Sequence, residues 1–194
     1  TWTKISSSNF GVRYTPKGFI FDSAGQTIFC KSNIYYYLGF LGTKIAYIIL
    51  NIFNPTINYQ VGDIAKIPII FGNIYQSQHK HSLQIHSVLV EISKKDWDSF
   101  ETSWDFKCHP LISVISHNRV VFDDTADIDL AECYTCWENE CNERFNQLKA
   151  NEEELNRIFI NIYGLQDELT PEVEDKDVTV RKVDLQRDIK SLIS

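Results

Sequence analysis

The chain has 194 residues, 43% of them hydrophobic and 23% charged, with a formal net charge of −7. That balance excludes a chain disordered throughout, a collagen-like repeat and a disulfide-dense scaffold, and the length suits one domain or two small ones. Residues 1–71 hold six Lys/Arg against Asp22 and Asp63, a balance of +4, whereas residues 72–194 hold thirteen against twenty-four acids, a balance of −11.

From Thr1 to Phe29 apolar and polar residues alternate, with turn signals at Pro16-Lys17-Gly18 and Ala24-Gly25. This pattern predicts short strands carrying Trp2, Ile5, Phe10, Val12 and Tyr14, then Phe19, Ile20 and Phe21, then Ile28 and Phe29. Ser32-Asn33 is placed to cap one helix running to about Phe53, in which Tyr36, Gly39, Phe40, Thr43, Ala46, Tyr47 and Leu50 recur at helical spacing. Asn54-Pro55 stops it, because the residue before a proline is pushed out of the α region. Next come Asn58–Val61, a Gly62-Asp63 turn, and an apolar strand-like run from Ile64 to Phe71 broken by Pro68.

The remainder reads as helical. Ser77–Ile92 and Asp96–Phe106 form two predicted helices, with Ser93 available to cap the second. His109-Pro110 opens a loop that reaches Asp123-Asp124. From Asp127 a long helix carries one apolar stripe over Leu130, Cys133, Trp137, Cys141, Phe145, Leu148, Leu155, Phe159 and Ile162, ended by Gly164. Thr170-Pro171 to Asp177 is an acidic loop, Thr179–Lys182 a short strand, and Asp184 the cap of a last helix. The expected fold is therefore α+β. A small mixed α/β unit over residues 1–71 is followed by a mainly helical region over residues 72–194, and the chain reads as a fragment cut from a longer protein.

No set of reactive groups emerges. There is no dinucleotide or phosphate loop, no H-E-x-x-H and no G-x-S-x-G. Asn54-Pro55-Thr56-Ile57 resembles the Asn-Pro-Pro-aromatic tetrapeptide of amino-methyltransferases but lacks both the second proline and the stacking ring, so it reads as a helix stop. Cys133, Cys136 and Cys141 on one helix do not converge on a point, and no second Cys/His pair has finger spacing, so no metal is expected. His79, His81 and His86, with no carboxylate nearby in sequence, read as a solvated or half-buried face. Five cysteines without a secretory signal fit a reducing, cytoplasmic setting, and no apolar stretch reaches the length of a membrane helix. In the front segment Lys4, Ser6, Ser7, Ser8, Asn9, Arg13, Tyr14 and Lys17 put cations, hydroxyls and an amide on a strand–loop–strand. These are the residue types that contact backbone phosphates and base edges, or that line a hairpin facing water.

Several longer stretches carry a resemblance: Phe40-Leu41-Gly42-Thr43-Lys44-Ile45-Ala46, Asn54 to Ile64, Ile67-Pro68-Ile69, Trp97 to Phe106, Phe145 to Asn156 and Lys182 to Ile189. Together they are similar to the segment beyond the catalytic domain in the adenine-specific DNA methyltransferases of BREX phage-defence systems. The resemblance implies a target-recognition region joined to a helical scaffold, within an enzyme that methylates adenine N6 using S-adenosylmethionine. The implied partners are double-stranded DNA, the upstream methyltransferase domain of the same parent chain and other defence-system subunits. DNA contact is expected at Lys4, Ser7, Ser8, Asn9, Arg13, Tyr14 and Lys17, with Lys44 as a further backbone contact. The family's cofactor and catalytic motifs lie upstream of the matching segment, so no catalytic or cofactor-binding residue carries over. The alternative is a protein-interaction module in which DNA contact is made elsewhere.

Overall fold

The computed structural model describes residues 1–6, 10–70, 76–114 and 130–184. Their elements are β1 (Trp2–Thr3), β2 (Gly25–Gln26), α1 (Ile34–Leu41), α2 (Lys44–Phe53), α3 (Val61–Ile64), α4 (Gln76–Trp97) and α5 (Leu130–Tyr163), followed by a 3-10 turn at Asp175–Asp177. A small sheet beside mainly helical structure makes the fold α+β, as expected. The chain divides into two compact units, one of Thr1–Val90 with Asn151–Asp177 and the other of Glu91–Ala150 with Val178–Ser194.

In the first unit β1 pairs antiparallel with β2, Trp2 opposite Gln26 and Thr3 opposite Gly25. Single bridges join Trp2 to Val12 and Ile5 to Asn58 on either side. The alternation is real but the strands are minimal. Phe19–Phe21 and Ile28–Phe29 form no strand; Phe19, Ile20, Phe21 and Phe29 are all exposed. Alternating apolar residues make a strand only where a second strand satisfies the backbone, and here Pro16, Gly18 at φ 102° and the Asp22 turn interrupt the run. Trp2, Phe10 and Tyr59 form the core beneath the sheet, with ring centroids 6.4 and 4.9 Å apart and the Trp2 indole N–H donating to the Tyr59 carbonyl.

The single helix expected from residue 32 to residue 53 is two, bent by 71° at Gly42-Thr43. Thr43 leaves the helical region (φ −88°, ψ 160°) and its hydroxyl caps α2, accepting from the Ala46 N–H while donating to the Phe40 carbonyl. The expected stop at Asn54 holds: that residue is extended before Pro55. Its amide donates to the Asn58 carbonyl and to the Asp63 carboxylate, closing the turn that leads into α3. A short helix thus stands where a turn was expected, and residues 68–70 form no strand, since Pro68 lacks an N–H to give. Phe40 and Tyr36 of α1 pack on Phe159 of α5, and Phe40 stacks on Tyr163 with ring planes 6° apart.

In the second unit the helix expected over 96–106 does not form: α4 runs through Ser93 to Trp97, and turns follow it. The Lys94 ammonium reaches both the Asp98 and Asp105 carboxylates at 2.6 Å, and Ser103 donates to Asp98, so the polar groups that would continue the helix close a turn. Residues 110–114 are helical where a loop was expected. The apolar stripe of α5 is buried at Cys133, Trp137, Cys141, Phe145 and Leu148, and the Lys182 ammonium sits 4.7 Å from the Phe145 ring. Residues 179–182 form no strand, although Val178 and Val180 are buried. The helix expected after Asp184 lies outside the described residues.

At the far end of α5, in the first unit, Gly164 takes φ 68° and the Leu165 N–H donates back to Ile160, a left-handed helix stop that glycine adopts without strain. Among the described residues no single helix is long and apolar enough to cross a membrane.

Candidate nucleic-acid interface

The front of the first unit is a lattice of backbone bonds around β1. The Lys4 N–H donates to Ala24 and its carbonyl accepts from Tyr59, the Ser6 N–H donates to Ile57, and the Arg13 N–H donates to Thr1. These bonds bring Lys4 and Arg13 beside β1, and the Arg13 guanidinium donates to the Thr3 hydroxyl at 2.9 Å. Tyr14 follows directly, its ring stacked on Tyr35 at 5.8 Å. Lys17 lies exposed in the next turn. Ser7, Ser8 and Asn9 lie outside the described residues.

Lys44 is placed differently. It is the first residue of α2, where its N–H donates to the Asn156 side chain at 3.0 Å. Its ammonium is turned onto the carbonyls of Thr170 and Glu172. Asn156, buried, also donates to the Pro171 carbonyl. The cation thus ties α2 to the segment that follows α5. Lys66 is 3.8 Å from Asp63. Among the described residues, Lys66 is the cation of residues 1–71 with an ion pair to a carboxylate; Lys44 is held by carbonyls, which leaves Lys4, Arg13, Lys17 and Lys31, the last of which the sequence did not single out.

Residues 1–31 hold those four cations against Asp22 alone, a balance of +3. The amides of Gly25 and Ala24 donate to the Asp22 carboxylate and hold its pKa below the usual range. The unit as a whole is not basic. Thr1–Val90 and Asn151–Asp177 together contain nine Lys/Arg and eleven Asp/Glu, a balance of −2, because the acidic residues 151–177 belong to the same unit as the basic segment. Several of those acids are engaged locally: Glu153 accepts from the Val173 N–H, and Glu154 meets Arg157 and lies 3.6 Å from His81.

His81 thus meets in space a carboxylate that is remote from it in sequence. His86 is buried rather than solvated, its Nδ1 without a partner among the described residues and 3.2 Å from where a β-carbon on Gly39 would stand. On α5, Cys133 and Cys141 are buried and Cys136 exposed. A rise of about 12 Å separates the two buried thiols. Among the described residues no three His, Cys, Asp or Glu side chains form a metal-ligating group.

No protein-family model matches the chain. It is 41% identical over its whole length to the adenine-specific methyltransferase PglX of Lacticaseibacillus casei (strain Zhang), and 33% identical over 90% of its length to the adenine-specific methyltransferase BrxX of Escherichia coli O9:H4 (strain HS). It spans 15% of the first relative and 13% of the second. The chain is thus homologous to a limited segment of the adenine-specific methyltransferases PglX and BrxX.

Proposed function

We propose that the chain is a DNA-contacting segment of a site-specific adenine-N6 DNA methyltransferase from a phage-defence system, acting in the cytoplasm. S-adenosylmethionine binding and methyl transfer belong to the rest of the parent enzyme. The observation that carries this reading is the set of Lys4, Arg13, Lys17 and Lys31, without carboxylate partners among the described residues, in one stretch of sequence whose one acid is capped by its own backbone. Phosphate contacts from such cations position a protein on a duplex without reading sequence. Ser7, Ser8, Asn9 and Tyr14 are adjacent donors and acceptors for base edges. Lys44 is assigned an internal role instead, and α4 and α5 act as scaffold.

Each phosphate neutralised contributes about −0.9 to the slope of log affinity against log salt. Replacing Arg13 and Lys17 by Ala in the full-length parent should therefore weaken duplex binding and reduce that slope by about two. Replacing Lys149 and Arg157 on α5 should leave it unchanged. The opposite pattern would place the DNA face on the helices and refute the assignment.

A second reading, docking of other defence subunits, draws on the second unit. Trp104 is 97% exposed there, and Trp97 and Phe100 are exposed within a few residues of it. Large aromatic side chains in that setting suit a protein interface better than open water.

A further inference from the structure

The turn that follows Lys17 carries Phe19, Ile20 and Phe21, with Ile20 98% exposed and Phe29 meeting Phe21 edge-on at 5.1 Å. Its base is fixed: β2 pairs with β1, the Asp22 carboxylate holds the Ala24 and Gly25 amides, and the Lys4 N–H donates to Ala24. Gly18, at φ 102°, turns the chain into the tip in a conformation other residues rarely adopt. The result is a short apolar projection on a tied base, flanked in sequence by Arg13, Lys17 and Lys31.

We infer that this tip is a wedge that enters a base step of duplex DNA, with Ile20 leading and Phe19 and Phe21 behind it. The inference rests on the DNA-contacting reading above. Apolar side chains inserted between base pairs unstack and kink a duplex while nearby cations hold the phosphates. An adenine amino group inside a stacked duplex is also out of reach until the base turns outward, and a prop against the open step favours that state. Charge selects DNA over a protein partner as the occupant. A purely apolar docking site gains nothing from the three cations that flank it in sequence, whereas a duplex presents a phosphate on both sides of every step. Ile20 and its neighbours are positioning residues in this scheme and touch no reacting atom by necessity.

The test uses the full-length parent methyltransferase and a covalently closed plasmid relaxed by a topoisomerase in its presence. Wedge insertion unwinds the helix, so the wild-type protein should shift the topoisomer distribution. The F19S/I20S/F21S variant should lose that shift while its duplex affinity falls by less than about tenfold, because unstacking offsets much of what the wedge gains. The single variant I20S, changed at a side chain already in solvent, should lose most of the shift and leave the melting temperature unchanged. If both variants bind the plasmid and shift its topoisomers as the wild type does, the wedge is refuted and the DNA-contacting reading stands. If the wild type does not bind duplex DNA at all, both fall. If I20S instead lowers the melting temperature of the parent enzyme, the tip is covered by another part of the protein and the wedge is refuted.

Discussion

His86 offers a quantitative handle on the core of the first unit. The side chain is 6% exposed, and burial pushes its pKa down from 6.5 to about 4. In the unfolded chain the imidazole takes a proton at its ordinary value, whereas in the folded chain it stays neutral until much lower pH. Between those two values the unfolded state binds more protons, so stability falls as the pH drops from 6.5 towards 4 and is untouched by this group above 6.5. At pH 5 the loss is about 2 kcal/mol by linkage, and for a chain of this size that is a fall of about 4–8 °C in Tm. Carboxylates with depressed pKa, such as Asp22 and Glu174, lose their own contributions at lower pH, so the histidine must be isolated by difference. Thermal melts of the wild type and of His86→Gln at pH 7.5 and pH 5 do this. The variant should lose several degrees less than the wild type between the two pH values. Equal losses in both proteins would mean that His86 is either solvated or already charged in the fold, and the packing around it would be wrong.

Two further outcomes follow from the same unit. Asn156→Ala removes the acceptor of the Lys44 N–H and the donor to the Pro171 carbonyl, both inside the fold; it should cost about 2–4 kcal/mol, read as a lowered denaturant midpoint, and a loss below half that range would show the two bonds to be dispensable. Gly39→Ala places a methyl 3.2 Å from His86 Nδ1 and should destabilise by about 1–3 kcal/mol despite alanine's better helix propensity. The loss should shrink when His86→Ala is combined with it, and an additive double variant would sink the steric explanation.

What the sequence disclosed about the fold was mostly what a single helix can specify by itself. The stripe along α5 needs no partner to be recognised, since its spacing and its glycine stop are local signals, and both appear where expected. Asn54-Pro55 is equally local. The errors concern features that depend on a partner. An apolar run such as Phe19–Phe21 is a strand only if another strand reaches it, and none does among the described residues. The bend at Gly42-Thr43 was hidden because apolar spacing continues across it, although a threonine able to cap sits just after a glycine. Asp98 and Asp105 both fall within reach of Lys94, which favours a closed turn over the expected helix at 96–106.

The candidate interface shows the same division between local and distant causes. Counting charges along the chain found the cations, because composition is local, but could not say which were already engaged. Lys44 looked as available as Lys17 until the fold brought the 170–172 carbonyls onto its ammonium from 126 and 128 residues away. The same folding-back places nine acids of residues 151–177 in the unit that holds the basic segment, which removes its net positive charge. A field from the whole unit therefore cannot be what steers a duplex. Charge screening extends only about 8 Å at physiological salt, so the proposed interface rests on Lys4, Arg13, Lys17 and Lys31 individually. This makes the proposed interface sensitive to single substitutions, in a way that a uniformly basic surface would not be.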